Sequence, residues 1–240
     1  MNERNNIGAF ISYHNIIRPV EFTLFGLVFA PCMMMLFSLL FLISPPKILE
    51  ASLSHYIGFA GEVLSITMLS VGIFIRKRLL ENKDVQQGKT LYLAQIYLYV
   101  YCVLCGIMFF FVSMVTFNGM KLLPISIGTV ALLTGITIVC TYAFIKKSIR
   151  NGKYFDKNNV NEKMIAFSTS TACIALCMLA LHIMKRLLNG FGLIIICIIL
   201  IEAVSALAFI YYLKLKYAKK YDLEEYLPVK PLPNAYTNWQ

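Results

Sequence analysis

Apolar residues run almost unbroken over six stretches of this chain, Phe22–Ser44, Tyr56–Ile75, Leu91–Phe117, Leu122–Ile145, Met164–Met184 and Phe191–Leu213, and polar residues crowd the gaps between them. A helix needs about 20 mostly apolar residues to cross a bilayer, and each stretch is long enough. With 59% hydrophobic and 14% charged residues, the chain has too little polar surface to wrap six such helices as a soluble core. The pattern predicts an all-α polytopic membrane protein, a bundle of six transmembrane helices. Residues 1–21 are then an N-terminal segment, 22–213 the membrane domain and 214–240 a C-terminal tail.

Charge orients the bundle. Of the 22 Lys and Arg, eighteen fall in the N-terminal segment, the second and fourth gaps and the tail. Only Lys47, Lys121, Lys185 and Arg186 fall in the other gaps. Basic residues in short loops are retained on the cytoplasmic side, so both termini are expected in the cytoplasm. The net charge of +10 follows from this bias together with attraction to anionic inner-leaflet lipids, not from nucleic-acid binding, because the cations are spread over four membrane-proximal segments. No short apolar core with a small-residue cleavage site precedes the first stretch, which reads as a retained anchor.

Within the N-terminal segment, Ile7, Phe10, Ile11, Ile16 and Ile17 roughly follow helical spacing. A short helix lying in the inner interface, or a merely ordered tail, fits that spacing. The tail from Lys214 can prolong the last helix until Pro228, Pro231 and Pro233 stop it. Phe74-Ile-Arg-Lys and Phe144-Ile-Lys-Lys resemble a repeat, but basic stops at one membrane face explain them more simply.

Pro31 lies inside the first span and should kink it. Small residues suggest where helices approach closely: Gly58 and Ser65 in the second span, Gly128, Ala131 and Gly135 in the fourth, Ser168 and Ala172 in the fifth, Ser205 in the sixth. The fourth and fifth spans read as central and tightly packed. Tyr92 fits an interface anchor, and Tyr97, Tyr99 and Tyr101 lie deeper, facing a neighbouring helix.

Candidate chemistry is sparse. Glu62 and Glu202 are carboxylates within spans, where a charge costs about 2.5–3.5 kcal/mol and usually faces protein or water. They are candidates for contact with a partner, an ion or a substrate, with helix packing through a protonated carboxyl as the plainer reading. His182 and His55 sit near outer helix ends and could approach Glu62, but they lack metal-site spacing, and no metal or cofactor is expected. All seven cysteines lie in spans. Cys102 and Cys105 have the spacing of a redox pair, yet in apolar helix they read as small hydrophobes. No His-Glu-x-x-His, Gly-x-Ser-x-Gly or phosphate-binding glycine loop is present, so no enzyme is expected.

Abundant Ile, Lys and Asn beside a single Trp suggest an AT-rich, Gram-positive source and a bacterial plasma membrane. With six spans, short outer loops, both ends inside and a basic tail at Lys214–Tyr221, the chain resembles in overall form the small polytopic membrane proteins encoded beside type VII secretion loci. That resemblance implies an immunity protein, which shields the membrane from a secreted pore-forming or depolarising toxin and works with a toxin or a second membrane subunit as partner. The same form also resembles the permease half of a small ABC exporter or the substrate-binding subunit of a vitamin importer. An assembly factor for a secretion machine is the third class.

Overall fold

The computed structural model describes residues 3–13, 19–43, 51–82, 84–118, 120–155 and 191–227. Among these residues all regular structure is helical, in six α-helices and three short 3₁₀ turns. The helices are α1 (Glu3–Ser12), α2 (Pro19–Ile43), α3 (Ala51–Glu81), α4 (Asp84–Asn118), α5 (Leu123–Arg150) and α6 (Phe191–Lys220). The five from α2 to α6 are long and apolar enough to cross a membrane. Their outer surface carries exposed Phe25, Phe29, Leu36, Leu40, Phe59, Leu132, Val139 and Leu200. Such a surface suits hydrocarbon as its solvent, and the molecule is a multi-pass membrane protein. The expected fifth span, Met164–Met184, lies outside the described residues.

Helix starts and stops have local causes. Proline opens α2 and lies in the first turn of α5, where its missing N–H costs nothing. The helices outrun their apolar stretches at the basic ends, because Arg76–Glu81, Lys146–Arg150 and Lys214–Lys220 are good helix formers that contain no Gly or Pro. α6 ends before the first tail proline, where Asp222 takes a left-handed conformation (φ 53°). The amide of Leu223 then donates to the carbonyl of Ala218 at 2.9 Å, as in a Schellman closure.

α4 packs most extensively on α6, and α2 on α3. α5 lies against α6, while α4 also meets α2 and α3. One buried cluster gathers Ile7, Phe10 and Ile11 of α1 with Val20, Leu79, Tyr92, Ile145 and Leu213. A second gathers Phe110, Met114, Leu123, Val130 and Ile194 at the opposite end. α2 and α4 therefore start at the α1 end, whereas α3, α5 and α6 finish there. This brings Arg4, Arg76, Lys77, Arg78, Lys89, Lys146, Lys147, Arg150 and Lys153 to the α1 end, together with the lysines of α6. Lys121 lies at the other end.

α1 is packed into the protein. Asn6 to Ile11 are buried on every side of the helix. The tail folds back over it: Leu223 and Leu227 join the same cluster, and the Tyr226 ring lies against Gly8, where a Cβ would come within 2.9 Å of it.

Candidate functional site

The α2–α3 seam is built from small residues. Ser54, Gly58, Gly61, Ser65, Met68 and Gly72 recur at alternating four- and three-residue steps along α3, and all are buried. Gly58 leaves space for Leu42 and for the carbonyl of Ser38. At Gly72 a Cβ would lie 2.8 Å from the carbonyl oxygen of Leu27. That carbonyl is the acceptor that Pro31, four residues on, cannot bond, so glycine on α3 makes room for the backbone that proline frees on α2. Ser54 Oγ donates to the carbonyl of Phe41 at 3.1 Å. Without a hydrophobic drive in lipid, such close approach and hydroxyl bonding hold helices together.

The small residues of the fourth span behave differently. Gly128, Ala131 and Gly135 are exposed on α5, and among the described residues nothing lies within 4 Å of a Cβ built at either glycine. Four-residue spacing puts small residues on one face of a helix, and among the described residues nothing packs on this one; the fifth span expected beside it lies outside them. Ser168, Ala172 and His182 lie outside the described residues.

The tyrosines of α4 meet neighbours. Tyr97 Oη donates to the carbonyl of Met68 at 3.0 Å. Tyr101 Oη and Ser65 Oγ are 3.3 Å apart, and Tyr99 stacks on Tyr211 at 5.7 Å. Tyr92, expected as an interface anchor, is fully buried inside the protein.

Both intramembrane carboxyls are incompletely satisfied. Glu202 is 0% exposed on α6. Its Oε1 accepts from Thr134 Oγ1 of α5 at 2.8 Å, and the buried Thr137 lies beside the same carboxyl. Its Oε2 is sealed without a hydrogen-bond partner, as is the hydroxyl of Thr141 further along α5. Ser205, one turn from Glu202, is half-buried. Glu62 is half-buried at the margin of the α2–α3 seam, with Oε1 sealed and unpartnered. The two carboxyls sit on helices that are not paired with each other. No group of three His, Cys, Asp or Glu among the described residues could hold a metal. The five described cysteines are free thiols.

An equally enclosed ionisable group is Lys214, which in sequence has only the look of a basic stop at the end of a span. Lys214 is 0% exposed at the α1 end of α6. Its Nζ donates to the carbonyl of Tyr13 at 2.5 Å, just past the end of α1. The rings of Phe10, Tyr13, Tyr92 and Tyr211 surround it with centroids 5.3 to 5.8 Å away. Tyr92 Oη donates to the carbonyl of Ile11 at 2.6 Å. The last carbonyls of a helix lack partners within it and carry its negative end, so a cation and a phenol from two spans cap α1. Tyr154 closes the box, edge-on to Phe10 at 4.9 Å and to Tyr13 at 5.5 Å. A ten-residue helix is marginal alone in water, so α1 owes its form to this dock. The apolar neighbours one turn either side of Lys214, Ile210 and Ala218, are the signal that could have marked it as buried.

No family model, no curated protein and no solved structure matches this chain.

Proposed function

We propose that the chain is a non-enzymatic protein of a bacterial plasma membrane that recognises another membrane-active protein within the bilayer. More specifically, we read it as an immunity protein against a secreted pore-forming or depolarising toxin. The observation that carries this reading is Glu62. Its carboxyl has a sealed oxygen without a donor, while its helix neighbours Phe59, Val63 and Ile66 face outward as in hydrocarbon. Such a carboxyl costs about 2.5–3.5 kcal/mol in a span. A polar group on an incoming helix would pair with the carboxyl's other oxygen, which is not sealed, offset that cost and give an otherwise featureless apolar face its specificity.

Two further features support the orientation on which the reading rests. The basic side chains gather at the α1 end, as the cytoplasmic side requires. α5 and α6 run in the same direction and both finish at that end, in keeping with a sixth crossing and both termini inside. The transporter reading calls for an inner loop or the N-terminal helix to dock an ATPase, and the burial of residues 6–11 in α1 leaves that task to an inner loop.

The test is to express the chain in a sensitive strain and follow membrane potential with a voltage-reporting dye while secreted material from the producing bacterium is added. Immunity requires that potential be held in cells carrying the chain and collapse in cells without it. It also requires that Glu62→Gln, at matched expression, weaken protection. Collapse in both strains would overturn the reading, and co-purification with an ATPase would favour transport instead.

A further inference from the structure

A cavity of about 530 Å³ opens at the basic end between α1, α5 and α6. Its size falls in the range of small-molecule sites. Lys146 and Arg150 line it from α5, and Lys216 and Lys220 from α6. These four cations converge although their helices carry other lysines that point elsewhere. α1 contributes Glu3 and Asn6. Asn6 is only 6% exposed, and its Oδ1 is buried without a hydrogen-bond partner. Tyr142 and Tyr217 add rings with polar tips, the residue type that suits a boundary between hydrocarbon and water.

We propose that this cavity binds a phosphoglycerol group, as carried by the headgroup of an anionic membrane lipid. The chemistry divides cleanly over the lining. A phosphate ester takes the four cations, which otherwise repel one another across the opening. Their charge exceeds that of Glu3, leaving a net positive site. Glycerol hydroxyls donate to the orphaned Asn6 oxygen and to the Glu3 carboxylate, which a bare phosphate would leave unsatisfied or repel. Basic pockets between membrane helices suit anionic headgroups for this reason. The lipid would also bridge α1 to two spans, adding to the Lys214 dock. This inference stands apart from the immunity reading, since it concerns a different face and needs no partner protein.

The full chain is reconstituted in nanodiscs of phosphatidylcholine, with and without phosphatidylglycerol or phosphatidic acid, and retained lipid is measured by native mass spectrometry. Phosphatidylglycerol is expected to be kept in preference to both others. Arg150→Gln with Lys216→Gln should cut its retention by about tenfold or more, given the strength of charge-assisted bonds. Arg76→Gln with Lys77→Gln and Arg78→Gln removes charge from the same end but outside the cavity, and should leave retention nearly unchanged. Asn6→Ala should erase the preference over phosphatidic acid while leaving the helical content intact by circular dichroism. Equal loss in the cavity and α3 variants, or no preference for phosphatidylglycerol, would overturn the proposal. Soluble glycerol phosphate is added to phosphatidylcholine nanodiscs as a separate arm. If it raises thermal stability and phosphatidylglycerol does not, the same chemistry belongs to a soluble ligand and not to a lipid.

Discussion

The ammonium of Lys214 donates to the carbonyl of Tyr13 across 201 residues of chain, from a position with no solvent exposure. The bond joins the end of α1 to the end of α6. A hydrogen bond from a charged group contributes about 1.5–3 kcal/mol, and stacked rings around a desolvated ammonium add to it. Lys214→Met keeps most of the volume but leaves the Tyr13 carbonyl without this donor. The variant should lose about 2–4 kcal/mol of stability, visible in denaturant unfolding in micelles. Amide exchange over residues 6–11 should accelerate at least tenfold as α1 leaves its dock. Unchanged exchange would mean that the apolar contacts of Phe10 and Ile11 hold the helix alone.

Tyr92 makes the companion bond, from its hydroxyl to the carbonyl of Ile11 at 2.6 Å. Tyr92→Phe preserves the ring beside Lys214 and deletes only the donor. It should cost about 1–3 kcal/mol, the penalty for a buried carbonyl left unpaired. Because both donors secure one helix end, the double variant with Lys214→Met should cost less than the sum of the two singles. A double-mutant cycle on unfolding free energies reads this directly. Strict additivity would show that the two bonds act on separate units.

The long helices were legible in the sequence because lipid imposes a simple rule on composition: apolar runs of span length must be helices. Depth and neighbours were less legible, for reasons particular residues display. Ile7, Phe10 and Ile11 carry the same spacing whether a helix rests on lipid or is buried on all sides. Gly128 and Gly135 share the spacing logic of Gly58 and Gly72, yet among the described residues only the second pair meets another backbone, since spacing encodes a face and not what covers it. Lys214 has the sequence surroundings of any basic helix end, and only packing makes it dry. Glu202 stood out at once as a carboxyl in a span. Its bond to Thr134 did not, because cross-helix register is a property of packing.

The contrast between two glycines is measurable. At Gly72 a new Cβ would lie 2.8 Å from the Leu27 carbonyl oxygen, a backbone atom that cannot swing aside. Gly72→Ala should therefore cost about 1–3 kcal/mol, as overpacking does. Gly128→Ala meets nothing within 4 Å among the described residues, so it should be neutral or stabilise by up to about 1 kcal/mol through helix propensity. Adding Pro31→Ala should recover part of the Gly72→Ala loss, because the amide it restores can draw the Leu27 carbonyl back into its own helix. Thermal unfolding of the four variants in one detergent compares them. A Pro31→Ala change that gives no relief would detach Gly72 from the proline.

Glu202 can be tested for whether its carboxyl is kept for structure. Its bonded oxygen accepts from Thr134 Oγ1, but that hydroxyl also lies 2.9 Å from the carbonyl of Val130 in its own helix. A hydroxyl has one proton to give, so removing the carboxyl lets Thr134 donate fully to Val130, and the buried Thr137 beside the same carboxyl can turn its proton to a carbonyl of the preceding turn in the same way. The second carboxyl oxygen has no partner to lose. Glu202→Leu should consequently fold with stability within about 1 kcal/mol of the parent, an unusually small change for a fully buried polar residue. Glu202→Gln should be equally mild, since the amide oxygen still accepts from Thr134. If both variants fold normally yet fail in the membrane-potential assay, the carboxyl serves recognition and not packing. A loss of 3 kcal/mol or more (about the cost of breaking a buried, paired charge) would instead make Glu202 a fixed strut between α5 and α6.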